Sequence, residues 1–130
     1  MKSINSVLGK NDEILRTKLL LHAEGLAVFF AACLLYRHSG GSWGKFAILF
    51  LAPDLSMIGY LFGRKSGADL YNAAHTYTAP FLLWIIARFA GHPSLLPLSL
   101  IWVAHIGLDR LLGFGLNYGT DFKDTHLGKV

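Results

Sequence analysis

Four apolar segments separated by short polar breaks run through the sequence. They span about residues 18–36, 43–62, 68–89 and 94–116. Each is close to the roughly 20 residues that a helix needs to cross a 30 Å hydrocarbon core. The breaks between them, RHSGGS, GRKSG and AGHPS, each contain glycine together with a histidine, lysine or arginine. The pattern predicts an all-α fold, a four-transmembrane-helix bundle that forms a single membrane domain over residues 1–130, with a polar tail over 117–130.

Composition supports the membrane interpretation. The chain is 53% hydrophobic and only 15% charged, whereas soluble domains have about 25% charged residues. The formal net charge of +4 comes from lysines and arginines at the ends of apolar segments, not from a basic block. Such flanks suit lipid headgroups, so membrane lipid is the predicted partner and nucleic acid is not. The single cysteine, Cys33, excludes an internal disulfide and any metal site made only of cysteines.

The distribution of basic residues predicts the orientation in the membrane. Under the four-helix arrangement, nine of the twelve fall on the side of the N-terminus: Lys2, Lys10, Arg16, Lys18, Arg64, Lys65, Arg110, Lys123 and Lys129. The other three, Arg37, Lys45 and Arg88, fall on the opposite side. Because cytoplasmic loops carry the excess of lysine and arginine, both termini are predicted to be cytoplasmic.

Every predicted helix carries an ionisable or histidine side chain at membrane depth. They are Glu24, Asp54, His75 and, in the fourth segment, His105, Asp109 and Arg110. Placing such a group at the bilayer centre costs roughly 2.5–3.5 kcal/mol on insertion scales, so these groups need partners, a metal or water. With the predicted orientation they lie within about two helical turns of one another along the membrane normal. We therefore expect them to converge in one polar site.

The spacing within the fourth segment points to a metal. His105 and Asp109 are four residues apart, which places both on one face of a helix and lets them reach a single ion. Asp54 and His75 are the further predicted ligands. Imidazole and carboxylate ligands suit zinc, manganese or iron, so a divalent transition metal is the predicted cofactor.

On this interpretation the protein is a metal-dependent hydrolase that acts on a lipid or amphiphile at the cytoplasmic leaflet. Glu24 or His126 is the predicted general base, and Arg110 is predicted to hold an anionic group. Three further residues have supporting roles: Tyr71, Asn72 and Asp124. No GxSxG, CxxC, HExxH or P-loop motif occurs, so the sequence does not support serine, thiol, zincin or nucleotide chemistry.

Three other interpretations remain open from the residues. The polar groups can relay a proton or cation in a transporter or channel component, for which four short helices would need to form a homo-oligomer. His75 and His105 can be the axial ligands of a haem. The charged groups can also simply satisfy one another in a structural membrane partner.

Four stretches carry a resemblance to a known family: EGLAVFFAACLLY, FLAPDLSMIGYLFG, YNAAHTY and AHIGLDRLLGFGLNYGTDFKDTHLG. They cover most of the chain from about Leu20 onward. The sequence resembles domain of unknown function 4260, a family of small bacterial integral membrane proteins. The resemblance implies a four-helix protein of the bacterial inner membrane and supplies no activity. The positions in the matching stretches are Glu24, Asp54, Tyr71, Asn72, His75, His105, Asp109, Arg110, Asp124, Thr125 and His126.

Overall fold

The computed structural model describes residues 3–114, and all of their regular structure is helical. The α-helices are α1 (Ile4–His38), α2 (Trp43–Phe50), α3 (Arg64–Ala74), α4 (Thr78–Phe89) and α5 (Leu96–Leu111). A long 3-10 helix, Ala52–Phe62, follows α2, and a short 3-10 turn, Pro93–Leu95, precedes α5. The predicted all-α class is confirmed.

Three stretches of the described chain are long and apolar enough to cross a membrane: Ile4–His38, Trp43–Phe62 and Pro93–Leu111. The fourth apolar helix, α4, has 12 residues and a length of about 18 Å, which is shorter than the hydrocarbon core. Large apolar side chains face outward, and Leu61 and Phe89 are 83% and 78% exposed. A soluble monomer rarely presents so much exposed apolar surface, whereas a lipid-facing surface requires it.

The first helix begins earlier than the predicted start at residue 18. Ser3 caps it, with its hydroxyl oxygen accepting a hydrogen bond from the Ser6 backbone N–H at 3.3 Å. Polar residues between Ile4 and Lys18 interrupt the apolar run, but they are compatible with a helix that lies in water or among headgroups. The 35 residues give a length of about 52 Å, so α1 extends well beyond one hydrocarbon core.

Prolines explain why the second and third predicted helices are not regular. Pro53 has no N–H for the Leu49 carbonyl, and here α2 gives way to the 3-10 helix that carries Asp54 in its first turn. The predicted continuous helix over 68–89 is wrong in one respect, because the chain breaks between Ala74 and Thr78. A continuous helix would drive the Pro80 ring against the Thr76 carbonyl.

Helices α1 and α5 cross with their backbones in close contact. A Cβ added at Gly25 would lie 2.5 Å from the Leu111 backbone nitrogen, and one added at Gly107 would lie 2.7 Å from that of Phe29. Only glycine allows two helix backbones to approach this closely, as at the small-residue crossings of membrane helices. The crossing fixes the position and rotation of α5, which carries two of the predicted ligands. The predicted end of the fourth helix at residue 116 lies outside the described residues.

Candidate metal centre

The four predicted metal ligands, Asp54, His75, His105 and Asp109, come together in the structure. One ligand atom from each lies within 4.8 Å of the other three. The two histidine Nε2 atoms are 3.1 Å apart. Asp54 Oδ1 lies 3.2 Å from His75 Nε2 and 3.3 Å from His105 Nε2. Asp109 Oδ2 lies 3.4 Å and 3.2 Å from the same two atoms. We call these four residues the His-Asp cluster.

These separations match the edges of a tetrahedron around a small ion. Zinc lies about 2.0–2.2 Å from histidine nitrogen and carboxylate oxygen, which places neighbouring ligands about 3.3–3.6 Å apart in tetrahedral geometry. Five of the six separations in the His-Asp cluster range from 3.1 to 3.4 Å, and one ligand atom from each residue lies within 4.8 Å of all the others. The four atoms therefore surround a space of the size that a divalent transition metal fills.

Hydrogen bonding also favours a cation between these atoms. His75 Nδ1 lies 2.9 Å from the Tyr71 carbonyl oxygen, which can only accept, so Nδ1 carries the proton and donates it. In the neutral ring the lone pair of His75 Nε2 then points toward the other three ligand atoms. Two of those atoms are carboxylate oxygens, which also only accept. A cation at the centre would accept one lone pair from each of the four ligand atoms, and an imidazole N–H held by a backbone carbonyl is the usual support for a metal-bound histidine.

His105 is held by packing more than by hydrogen bonding. Its ring lies edge-to-face against Phe50 with the centroids 5.0 Å apart. Its Nδ1 is buried without a hydrogen-bond partner, and the Phe50 backbone carbonyl is a neighbouring acceptor. A small ring rotation toward that carbonyl would give His105 the same kind of support that His75 already has.

Burial divides the cluster into a closed side and an open side. The side chains of His75 and His105 are each only 3% exposed, whereas those of Asp54 and Asp109 are 42% and 21% exposed. A small molecule can therefore approach the cluster past the carboxylates and not past the imidazoles. Water or substrate would join an ion in the cluster from the side of the carboxylates, as a fifth ligand or in place of one of them.

The break between α3 and α4 places His75 in the cluster, and α5 stabilises that break. The Trp102 indole N–H donates to the Ala74 carbonyl at 2.6 Å, and an Arg110 guanidinium N–H donates to the His75 carbonyl at 3.2 Å. Irregular backbone at membrane depth is tolerated where the surrounding protein satisfies its polar groups. Thus α5 supplies two ligands and also the two side chains that hold the segment carrying a third.

The supporting residues of α3 lie beside His75. The Tyr71 ring stacks on the His75 ring, with centroids 3.9 Å apart and planes 11° from parallel. The Asn72 carbonyl accepts the His75 backbone N–H at 3.2 Å. The stacked Tyr71 ring orients the imidazole without competing for Nε2, whereas the Asn72 contact involves only the backbone.

Glu24 and Arg110 do not belong to the His-Asp cluster itself. Together with Tyr77 they line a cavity of about 380 Å³ whose other walls are apolar residues of α1. The Arg110 guanidinium lies over the Tyr77 ring, 5.8 Å from its centroid. Asp124 and His126, the other predicted site residues, lie outside the described residues.

The comparisons with known proteins agree with the resemblance seen in the sequence. The family model described as Domain of unknown function (DUF4260) matches residues 18–130. The chain belongs to the DUF4260 family. Its match begins within α1 and includes every member of the His-Asp cluster. No curated protein and no solved structure matches the chain. Because the DUF4260 description names no activity, the chemistry of the cluster is the guide to function.

Proposed function

We propose that this DUF4260 protein is a metal-dependent membrane hydrolase that cleaves a lipid or amphiphile at the cytoplasmic leaflet. The observation that carries the proposal is the set of nitrogen and oxygen separations of 3.1–3.4 Å within the His-Asp cluster. The cluster brings together the ligand types that zinc, manganese and iron accept, in a partly open site.

The proposal includes a membrane topology. In it, α3 and α4 together make a third crossing between the candidate spans Trp43–Phe62 and Pro93–Leu111. The chain is then a four-helix bundle of the bacterial inner membrane with both termini cytoplasmic. The exposed apolar surface and the excess of lysine and arginine on the N-terminal side support this arrangement.

A divalent ion in the cluster would polarise a carbonyl or phosphoryl oxygen and lower the pKa of a bound water. Hydrolysis joins the water oxygen to the carbon or phosphorus atom, and the bond to the leaving oxygen breaks. A proton passes from the water to that leaving oxygen. Glu24 or His126, the bases predicted from the sequence, would carry this proton. Arg110 would hold an anionic headgroup.

The first prediction concerns metal content. Protein purified in mild detergent from metal-replete cells should hold close to one equivalent of a single transition metal, measured by elemental analysis. Substituting His105→Ala or Asp109→Asn should reduce the content at least tenfold, because three ligands bind far more weakly than four. His92→Ala, at an exposed histidine outside the cluster, is the matched control and should retain the metal.

Two results would contradict the proposal. One is less than a tenth of an equivalent of any transition metal in the unsubstituted protein, together with stability that a chelator does not change. The other is equal metal content in His105→Ala, Asp109→Asn and the His92→Ala control.

A second function, proton or cation transport, is favoured by one observation. The break between α3 and α4 resembles the discontinuous helices that form ion sites in transporters. Reconstituted liposomes would then show flux under a pH or ion gradient, and a flat trace would reject transport. The haem alternative fits the geometry poorly, because carboxylate oxygens lie within 3.4 Å of both Nε2 atoms where a porphyrin would need space.

A further inference from the structure

An apolar cavity of about 360 Å³ lies next to the His-Asp cluster. Its walls come from α2, the 3-10 helix, the end of α3, α4 and α5, and they include Leu49, Ala52, Leu83, Leu98, Ile101 and Trp102. No charged side chain lines it among the described residues. The Trp102 indole N–H is already bonded to the Ala74 carbonyl, so the indole presents mainly its ring to the cavity. The cavity thus offers hydrocarbon contacts and few hydrogen bonds.

Residues that line the apolar cavity are direct neighbours of the metal ligands in the chain. Pro53 and Ala74, which directly precede Asp54 and His75 in the chain, are both part of its wall. On α5, Ile101 lies one helical turn before His105, on the same face. A molecule in the cavity can therefore place one end within reach of the cluster.

Polarity changes in a fixed order along α5. Leu98, Ile101 and Trp102 line the apolar cavity, and His105 and Asp109 follow as members of the cluster. Arg110 then lines the cavity that also contains Glu24 and Tyr77. Hydrocarbon, metal-binding and charged surfaces follow one another, which is the order of tail, reacting group and headgroup in an amphiphile.

We propose that the apolar cavity binds the hydrocarbon tail of an amphiphile whose polar group reaches the His-Asp cluster. This inference rests on the proposed function and specifies its substrate class, a molecule with an alkyl chain next to a metal-binding group. The volume fits such a tail, since pockets for small ligands measure about 300–1,000 Å³ and a cavity of about 150 Å³ already holds benzene. In the proposed topology the tail points away from the cytoplasmic surface, as it does in a lipid of the inner leaflet.

Alkyl hydroxamates test the tail site, because the hydroxamate group binds zinc and the chain length can be varied. In zinc-loaded protein, affinity should rise about fourfold for each methylene that the cavity buries. Leu83→Trp should fill the cavity and weaken the eight-carbon hydroxamate at least tenfold, while leaving acetohydroxamate binding and zinc content unchanged. Leu82→Trp, at the neighbouring exposed position of α4, is the matched control and should bind both compounds normally. Partition of the ligands into detergent is the same for both variants and cancels in the comparison.

Equal chain-length dependence in Leu83→Trp and Leu82→Trp would overturn the tail site while leaving the metal site intact.

Photolabelling with an eight-carbon diazirine fatty acid examines the cavity without a metal. Adducts on the lining residues Leu98 and Trp102, lost in Leu83→Trp, would support the tail site. Adducts spread evenly over outward-facing residues such as Leu61 and Phe89 would refute it. A protein that binds no transition metal but labels in the cavity would refute the proposed function alone.

Discussion

The two histidines of the His-Asp cluster differ in how their second ring nitrogen is held. His75 Nδ1 donates to the Tyr71 carbonyl, and the Tyr71 ring stacks on the same imidazole. His105 Nδ1 has no hydrogen-bond partner. His75 is therefore oriented by a hydrogen bond and by stacking, whereas His105 is oriented mainly by its packing against Phe50. In metal sites such contacts of the outer ring face and second nitrogen set the orientation of the ligand.

His22 forms a stabilising hydrogen bond that its position in the sequence does not predict. Its Nδ1–H donates to the Leu111 carbonyl at 2.5 Å, and so satisfies a free carbonyl at the end of α5. His22→Leu should lower the free energy of unfolding by about 0.5–1.5 kcal/mol, because that carbonyl loses its donor. Thermal unfolding in detergent measures the change. His22→Asn places an amide N–H near the position of Nδ1, and equal losses in both variants would contradict this role.

Sequence reasoning found the four cluster residues because burying them in lipid is costly. An acid or imidazole at membrane depth must meet a partner, and that requirement is visible without a structure. The role of His22 was not visible, because its acceptor lies 89 residues away. A hydrogen bond from Trp102 could have been predicted, since a buried indole N–H usually finds an acceptor. The sequence does not specify that this acceptor is the Ala74 carbonyl.

At the scale of secondary structure, the hydrophobic pattern predicted the positions of the helices. It did not predict where an α-helix becomes a 3-10 helix or where the chain breaks. Pro53 ends α2, and Pro80 accompanies the break before α4, and both prolines lie close to a cluster residue in the chain. A proline within an apolar segment hardly changes its hydropathy, so the predicted segments 43–62 and 68–89 showed neither the change to 3-10 helix nor the break. The backbone hydrogen bonds that a proline removes were the feature of the sequence that could have predicted both.

The crossing of α1 and α5 predicts opposite effects for two glycine substitutions. Gly107→Ala should destabilise the fold by about 1–3 kcal/mol, because its methyl group would meet backbone atoms of α1 that cannot move aside independently. Gly9→Ala, in an exposed part of α1 with no neighbouring atom within 4 Å, should stabilise the helix by about 0.5–1 kcal/mol. Denaturation in mixed micelles measures both. A Gly107→Ala protein as stable as Gly9→Ala would show that the close crossing does not form.

At the scale of the whole molecule, charge and apolar surface together predict how the chain sits in a membrane. Arg37 and Lys45 flank one turn of the candidate spans, and Arg64 and Lys65 flank the next. Because α1 alone is longer than a hydrocarbon core, its N-terminal part would extend into the compartment that contains Arg64 and Lys65. The predicted compartment is the cytoplasm.

Labelling of single cysteines checks the orientation. In a Cys33→Ala background, Ser39→Cys reports on the turn after α1 and Ser66→Cys on the start of α3, and both serines are exposed. Intact cells should label Ser39→Cys with a membrane-impermeant maleimide, whereas Ser66→Cys should label only after the membrane is opened. The reverse pattern would invert the topology, and labelling of both in intact cells would exclude a crossing between them.

One helix, α5, holds four of the contacts on which the site depends, through Trp102, His105, Asp109 and Arg110. A shift of its register by one residue turns every side chain by about 100° around the axis. All four contacts would then be lost together, and none of them can adjust separately. An insertion of a single alanine after Leu100 should therefore abolish the site as completely as deleting the helix. Loss of the correct α5 register should therefore disrupt the segment between α3 and α4 and the ligand set together.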